Sequence, residues 1–479
     1  MKTLLLCVLA SVAVSPGQHR PSAADAAAST QIATPARLEL VRWLAAFDSS
    51  DRAGYRTFLE HEFRAGLAHL ERDTGLWENT GGFDLKKIET ETPTQIKALV
   101  EEHAGDDFAR ITLEVALGAP TLIVRFEIAP VFPRPAGFPL PHLSDARLIA
   151  QLQTLLSDAV AVGRFSGAVL VAKGGKPIFA RAYGPADRER HIPNTLQTQF
   201  SIGSMNKMFT AVAILQLVQA GKVKLDDPLA KFLPDYPNHK LAATVTIREL
   251  LTNSGGTGDI WGPQYDQHRL QLRTLADYVR LYGNRPLRFP PGSRWEYSNF
   301  GFILLGRVIE VVSGESYYDY TREHVFAPAG MRATASPPED EPDPLRSVGY
   351  TRQGTGQWHS TADMLSYRGT SAGGGLSTVG DLLRFANALE RHTLLNAQLT
   401  QMATTGQEKN PFFYDGFGFG VQSFNGTFCF GHNGAGAGGN SDLEVCDNGR
   451  YAVIVLSNLD PPSAQQISDY VLNRLPLQP

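Results

Sequence analysis

The apolar residues in the first third of the chain show helical spacing, followed by strand-like alternation. A helical pattern runs over 37–47, and the polar residues 49–51 are typical of the cap of a second helix. Strands are predicted at 111–115 and 121–128, because apolar and charged residues alternate in the second of these segments. Helices followed by antiparallel strands predict a small α+β domain over residues 30–130.

The apolar pattern of the remaining chain has strands at both ends and helices between them. Buried strands are predicted at 165–172, 443–445 and 451–457. We therefore expect an α+β domain over 145–479, with an antiparallel sheet completed by both ends of the segment beside a helical lobe. Closely spaced prolines within 131–144 predict a stiff linker between the two domains.

The chain start has the composition of a secretory signal. Lys2 precedes an apolar run over 4–14, and small residues follow it. The run is too short to cross a bilayer as a helix, so we expect no transmembrane anchor in the mature chain. Residues 1–25 are predicted to be a signal peptide and a disordered start. This predicts an exported protein, periplasmic or extracellular.

Composition excludes several classes of function. The 479 residues carry a formal net charge of −4, so no basic field is available for a nucleic-acid partner. The 12 histidines show no ligand spacing, so neither a metal nor another cofactor is predicted. The glycines of 434–439 match a dinucleotide-binding pattern, but a strand-like segment follows them where that motif requires a helix.

Ser204 and Lys207 are the first candidate catalytic pair. They lie three residues apart at the start of a long apolar run, so they share one face of the predicted helix. Burial at the first turn would lower the pKa of the lysine toward that of a usable base. The serine would gain the positive end of the helix dipole. This arrangement is typical of an activated serine nucleophile, although an exposed cap with a solvated lysine is the simpler alternative.

Two later segments carry further candidates. Tyr297 and Asn299 lie two residues apart in a loop or extended segment, before an apolar helix predicted over 302–312. Side chains at this spacing point to the same side and can face one cavity. His432 and Gly434 lie at the end of an apparent strand that runs into a glycine-rich turn.

These elements, in this order, resemble the β-lactamase-related serine hydrolases, a family that includes class C β-lactamases, DD-peptidases, D-aminopeptidases and esterases. The chain has the Ser-x-x-Lys element, with Tyr-x-Asn as the second element and His-x-Gly as the third. The resemblance extends to 225–235, 246–255 and 371–378. It implies a β-lactamase/transpeptidase-like fold for 145–479. The preceding domain has a helical opening similar to that of NTF2-like or SnoaL-like domains.

The resemblance also implies roles for individual residues. Ser204 would attack a carbonyl after passing its proton to Lys207 or Tyr297. The backbone N–H groups of Ser204 and Ala435 would form the oxyanion hole. Asn299 would orient the lysine and the substrate. Gly434 and His432 would complete the substrate-binding strand.

The expected partner is a small-molecule or peptide substrate, cleaved at an ester or amide bond through an acyl-enzyme. One alternative is a β-lactamase or DD-carboxypeptidase that acts on β-lactams or peptidoglycan peptides. Another is a non-catalytic sensor of peptidoglycan fragments, although a binding module has no need of the four residues Ser204, Lys207, Tyr297 and Asn299.

His432 bears on the choice of substrate. Where the family carries lysine, a positive charge can hold a substrate carboxylate. An imidazole near its ordinary pKa is mostly neutral at pH 7 and would become charged as the pH falls toward 6. We therefore expect ester or peptide cleavage to exceed β-lactam turnover at neutral pH.

Cys429 and Cys446 are the cysteines left after removal of the predicted signal. They lie in two predicted strands on either side of a glycine turn, so a hairpin would bring them nearly opposite each other. An even pair in an exported protein predicts a disulfide. Two reduced, buried thiols are the alternative, since cross-strand geometry often fails the demands of the bond.

Overall fold

The computed structural model describes residues 33–49, 51–118, 122–353, 356–410 and 413–477. The predicted signal peptide lies outside the described residues. Among the described helices, none is both long and apolar enough to cross a membrane.

The N-terminal part consists of three helices followed by a four-stranded antiparallel meander in the order β1-β2-β3-β4. The helices are α1 (Pro35–Asp48), α2 (Arg52–Glu62) and α3 (Leu70–Thr80), with a 3₁₀ turn at Arg64–His69. The strands are β1 (Phe83–Glu91), β2 (Gln95–Glu102), β3 (Phe108–Ala116) and β4 (Leu122–Val131).

The apolar stripe of α1 covers one face of this sheet, as its helical spacing requires. The Trp43 ring lies 4.4 Å from the Phe126 ring of β4, and the Phe47 ring lies 5.6 Å from the Phe83 ring of β1. Two helices and two strands are found where the sequence predicts them. The NTF2-like resemblance stays a prediction.

The proline-containing segment 131–144 packs against both neighbouring parts of the chain. Arg134 donates to Glu101 of β2 at 2.6 Å, and the Phe138 ring lies 5.1 Å from the Phe108 ring. The backbone N–H of Leu143 donates to the Arg474 carbonyl at 3.0 Å. The segment is thus docked along its length.

The larger part is built on an eight-stranded antiparallel sheet in the order β13-β14-β15-β16-β17-β18-β5-β6. Its strands are β5 (Gly167–Lys173), β6 (Lys176–Tyr183), β13 (Glu408–Lys409), β14 (Tyr414–Asp415), β15 (Gly420–Phe424), β16 (Thr427–Gly436), β17 (Gly439–Cys446) and β18 (Tyr451–Ser457). Because β5 pairs with β18, the two ends of this segment complete one sheet. The predicted fold class is confirmed.

Helices cover both faces of this sheet. One face packs on α4 (Asp145–Ala161) and α15 (Ser463–Leu472), and the other on the lobe that contains α5 (Asn206–Gln219) and α10 (Asn299–Ser313). The remaining helices are α6 (His239–Thr244), α7 (Ile247–Leu251), α8 (Pro263–His268), α9 (Leu275–Tyr282), α11 (Tyr317–Thr321), α12 (Ala327–Ala329), α13 (Val379–Glu390) and α14 (Ala397–Ala403).

Short two-stranded pairs complete the structure: β7 (Pro185–Asp187) with β8 (Ile192–Pro193), β9 (Phe200–Ser201) with β12 (Leu376–Ser377), and β10 (Tyr350–Thr351) with β11 (His359–Ser360). Within the large sheet every residue of β18 is buried, as expected for a strand covered on both faces. The helix α5 is likewise apolar around most of its circumference and lies in the core.

The β16–β17 hairpin holds the two cysteines directly opposite each other. Cys429 pairs with Cys446 in the strand register, and their sulfur atoms are bonded at 2.00 Å. The glycines of 434–439 form the end of this hairpin, where no helix follows.

Candidate active site

Ser204 lies in a 3₁₀ turn, Gly203–Met205, immediately before α5. Gly203 has a φ of +50°, and a Cβ there would lie 3.2 Å from the Ala435 nitrogen of β16. Only glycine suits this backbone conformation and this close approach. The sequence places Ser204 on the first helical turn, but it lies in the tighter turn that precedes the helix. The turn sets Ser204 against the edge of β16.

Lys207, the second residue of α5, has no exposed surface. Its Nζ donates to Ser204 Oγ at 3.2 Å and to Asn299 Oδ1 at 2.7 Å, and also to the Ala372 carbonyl. Burial lowers the pKa of Lys207 to about 7, because removing the ammonium from water disfavours its charged form. The simple alternative of a solvated lysine does not fit this position.

Tyr297 and Asn299 approach Lys207 from the start of α10. The Tyr297 ring centroid lies 4.7 Å from the Lys207 Nζ. Burial raises the pKa of the Tyr297 phenol, and a hydrogen bond with Ser204 opposes this shift only in part. The helix begins at Asn299, earlier than the predicted 302, because Ser298 caps it by accepting from the Gly301 N–H at 2.9 Å.

Asp259 and Ala372 also contact the site, although neither is among the candidate residues predicted from the sequence. Asn299 Nδ2 donates to Asp259 Oδ1 at 2.9 Å, which fixes the amide so that its oxygen faces Lys207. The Asp259 charge acts against burial and raises the pKa of Lys207. Asp259 follows a glycine-rich turn and belongs to none of the motifs. Ala372 contributes only its backbone oxygen, which a side-chain pattern cannot reveal.

His432, Gly434 and Ala435 lie on β16, on the other side of the nucleophile turn. A Cβ at Gly434 would lie 2.1 Å from the Ile202 carbonyl, so this position requires glycine. The His432 side chain is half-buried. Burial, together with the charge of Lys207, lowers the pKa of His432 to about 4. This lowered pKa contradicts the expected protonation near pH 6 and favours a neutral imidazole at physiological pH.

A pocket of about 140 Å³ opens beside Lys207, Tyr297 and His432. Much of its wall is aromatic, formed by Trp295, Tyr297, Phe302, Phe413 and Phe419. Asp415 and Glu444 add two carboxyl groups. Among the described residues that line the pocket, Lys207 is the sole lysine, and arginine is absent.

A profile described as Beta-lactamase matches residues 146–477. The chain belongs to the Beta-lactamase family. The match begins within α4 and extends to the last described residue, so it covers both faces of the large sheet. The part that contains β1–β4 lies before it.

Several proteins of known name are similar to this family segment. Esterase EstB of Burkholderia gladioli is 31% identical over 323 residues, 59% of this chain and 81% of EstB. The putative penicillin-binding protein PbpX of Bacillus subtilis is 34% identical over 192 residues, 40% of this chain and 46% of PbpX. The chain thus spans less than half of PbpX.

Solved structures resemble the same segment. A penicillin-binding protein from Bacillus halodurans has a TM-score of 0.59 and 33% identity, covering 67% of this chain and 96% of its own. A D-stereospecific amidohydrolase from Streptomyces has a TM-score of 0.58 and 27% identity, covering 68% of this chain and 98% of its own.

Asn253 lies in the segment 246–255, shortly after α7. Asn253 has a φ of +56° and is buried. Its Nδ2 donates to Asp415 at 3.0 Å, and its Oδ1 accepts from the Ser298 N–H at 3.1 Å. Asn253 therefore connects the pocket wall to the cap of α10, which carries Asn299.

The described residues contain one group of three side chains with metal-ligand spacing, Glu315, Glu323 and His324. The group lies around the π-helical turn at Arg322–Phe326, and is at least partly exposed. Its members are already paired, His324 with Glu315 at 3.2 Å and Glu323 with Arg322 at 3.0 Å. It shares no residue with the pocket.

Proposed function

We propose that this protein is an exported serine hydrolase that cleaves an ester or amide through an acyl-enzyme on Ser204. The observation that supports this most is Lys207. Its amine is fully buried, its pKa is lowered to about 7, and it lies 3.2 Å from Ser204 Oγ. An amine with this pKa is half neutral at physiological pH, as a general base must be.

In acylation, the neutral Lys207 Nζ takes the proton of Ser204 Oγ as that oxygen bonds to the substrate carbonyl carbon. The ammonium formed is stabilised by Asn299 Oδ1, the Ala372 carbonyl and the nearby Asp259 charge. The carbonyl oxygen becomes an oxyanion, held by the N–H groups of Ser204 and Ala435.

Tyr297 acts in this scheme as a phenol, because its raised pKa disfavours the tyrosinate. Its hydroxyl passes a proton to the leaving oxygen or nitrogen and regains one from the Lys207 ammonium. The lysine is then neutral again. It removes a proton from the water that attacks the acyl carbon. The ammonium returns that proton to Ser204 Oγ as the acyl C–O bond breaks, so Ser204 leaves as the free hydroxyl.

Esters and amides without a nearby carboxylate are the substrate class that the pocket fits best. The neutral His432 provides no charge for a carboxylate, and Asp415 and Glu444 in the same pocket, whose pKa values burial raises, provide no cation either. The aromatic wall is suited to an apolar acyl or leaving group. The names of EstB and the Streptomyces amidohydrolase agree with this class. The similarity to PbpX favours the second candidate, a β-lactamase or DD-carboxypeptidase.

Export is proposed from the signal-like composition of residues 1–25. The bonded pair Cys429 and Cys446 supports it, since disulfides persist mainly in oxidising compartments.

Intact-protein mass spectrometry tests the function after separate incubation with a fluorophosphonate, a p-nitrophenyl ester and a penicillin. The first two probes should add one covalent group to wild-type protein, and Ser204→Ala should stay unmodified. Penicillin should label more slowly than the ester. Labelling that persists in Ser204→Ala would contradict the nucleophile. Fast penicillin labelling with slow ester labelling would favour the second candidate.

A further inference from the structure

Two neighbouring residues of β17, Asn440 and Ser441, lie behind the proposed oxyanion hole. Neither side chain has any exposed surface. Asn440 is opposite Ala435, and Ser441 is opposite Gly434, in the register of β16 and β17. A buried polar side chain is costly unless it is hydrogen-bonded, so the partners of these two residues indicate why they are there.

The Asn440 amide connects the oxyanion strand to α15. Its Nδ2 donates to the Gly434 carbonyl at 2.9 Å. That carbonyl and the Ala435 N–H belong to the same peptide unit. The Asn440 Oδ1 accepts from the Ala464 N–H at 2.6 Å, in the first turn of α15. The peptide that presents the Ala435 N–H is thereby fixed to a helix on the far face of the sheet.

The Ser441 hydroxyl connects the same strand to the nucleophile turn. Its Oγ donates to the Ile202 carbonyl at 2.9 Å. The same carbonyl accepts from the Met205 N–H at 3.2 Å, which closes the turn that contains Ser204. Ser441 thus holds the backbone that presents the Ser204 N–H.

The two donor peptides meet without an intervening side chain. A Cβ at Gly203 would lie 3.1 Å from the Gly434 Cα, so the nucleophile turn and β16 touch through backbone. The separation of the two N–H groups therefore depends on what anchors each backbone from behind.

We propose that Asn440 and Ser441 are positioning residues that set the two N–H donors of the oxyanion hole. The proposal rests on the proposed function. Asn440 also polarises the Gly434–Ala435 peptide, since a hydrogen bond to its carbonyl strengthens the N–H as a donor. Because the oxyanion forms only after attack, losing either anchor should lower kcat more than it raises KM.

The test compares Ser441→Ala, Ser441→Thr and Asn440→Asp with the wild type on a p-nitrophenyl ester. Removing one oxyanion donor costs about 100- to 1000-fold in kcat, so a misplaced donor should cost about 10- to 100-fold. We expect that loss in Ser441→Ala, with KM changed less than about threefold and with partial recovery in Ser441→Thr. Asn440→Asp keeps the acceptor for Ala464 and loses the amide donor, so its kcat should fall similarly.

Ser457→Ala is the matched control. Ser457 lies opposite Asn440 on β18, is 1% exposed, and donates to the Ser166 carbonyl at 3.0 Å, away from the nucleophile turn. It also accepts from Ser463 Oγ at 2.8 Å, beside the Ala464 that anchors Asn440, so it is matched to Ser441→Ala and not to Asn440→Asp. It should lose stability as Ser441→Ala does, yet keep its kcat. Unchanged kcat in Ser441→Ala and Asn440→Asp, or an equal kcat loss in Ser457→Ala, would overturn the positioning role.

Affinity for a boronic acid that forms a tetrahedral adduct on Ser204 is the second readout. In Ser441→Ala this affinity should fall, relative to the wild type, by about the same factor as kcat. If Asn440→Asp does not fold, the kcat of the two Ser441 variants and their affinity for the boronic acid still test the positioning role. A wild type that never modifies Ser204 would overturn the proposed function as well. A reactive wild type with equally reactive variants would overturn the positioning role alone.

Discussion

Lys86 lies in the small sheet and Lys207 lies on α5 beside the large sheet, and their amines have pKa values shifted in opposite directions. Lys86 lies on β1 of the small sheet, where its Nζ is 2.9 Å from Glu101 and 3.2 Å from Asp84. These carboxylates raise its pKa, chiefly through the hydrogen bond to Glu101. Lys207 faces an amide oxygen, a hydroxyl and a carbonyl, and burial lowers its pKa to about 7.

The difference follows from how each sheet is covered. Most residues of β4 in the small sheet are exposed or half-buried, so charged side chains there remain in contact with water. The large sheet is covered on both faces, and most residues of α5, Lys207 among them, are buried in that core. Desolvation strong enough to make a lysine a base at neutral pH requires the second environment.

The largest expected effect comes from replacing the two lysines with methionine. Lys207→Met should lower kcat/KM for a p-nitrophenyl ester at pH 8 at least about 100-fold, because the general base is lost. Lys86→Met should leave it within about twofold, since this lysine holds only surface carboxylates. Steady-state kinetics on purified variants, with circular dichroism to verify folding, measures both. Equal losses of kcat/KM in the two variants would contradict the role of Lys207 as the general base.

The disulfide should contribute to the stability of the large sheet. Reduction, or the variant Cys429→Ala with Cys446→Ala, should lower the free energy of unfolding by about 2–4 kcal/mol, as expected for a loop of this size. Urea unfolding followed by tryptophan fluorescence measures the change. Peptide mapping under non-reducing conditions is the control, and alkylation of both cysteines in untreated exported protein would contradict the predicted oxidised state.

The charge of the Asp259 carboxylate should influence the pH at which kcat/KM rises. Its charge raises the pKa of Lys207, so Asp259→Asn should lower that pKa further. The activity limb that rises as Lys207 loses its proton should then move to lower pH, while the amide oxygen still accepts from Asn299. Comparing kcat/KM against pH for the two proteins tests this. A shift to higher pH would show that Asp259 does not act through charge.

Removing the small sheet should have only a small effect on catalysis. A chain that begins at about Pro141 should keep kcat within a few fold, because Ser204, Lys207 and Tyr297 all follow this point. Its melting temperature should fall, since the ion pair of Arg474 with Asp106 at 2.8 Å and the bond from Gln466 to Asn79 at 2.7 Å are lost. A soluble but inactive truncated chain would mean that the small sheet shapes the pocket.

The sequence alone predicts the large fold and four candidate residues that lie close together in the structure. The strands at both ends of 145–479 have apolar runs, and Ser204, Lys207, Tyr297 and Asn299 lie in short motifs whose spacing is local. Asp259 could not be predicted, because its contact with Asn299 joins segments 40 residues apart.

The burial of a side chain also cannot be predicted from the local spacing of residues. His432 and Lys207 each have a lowered pKa because of distant segments that pack around them. Asn440 and Ser441 belong to the strand after the third motif, and only the strand register places them behind Gly434 and Ala435. The early start of α10 depends on one capping bond from Ser298.

The pH dependence of Ser204 acylation tests the central claim most directly, that a buried, neutral Lys207 activates this serine. Stopped-flow measurement of fluorophosphonate labelling between pH 5 and 10 isolates acylation from later steps. The rate should rise with pH through an apparent pKa of about 7, the value of buried Lys207, and level off above it. Lys207→Met should react slowly and without that transition. A wild-type rate that still rises toward pH 10, or a transition near 7 that survives in Lys207→Met, would contradict the account.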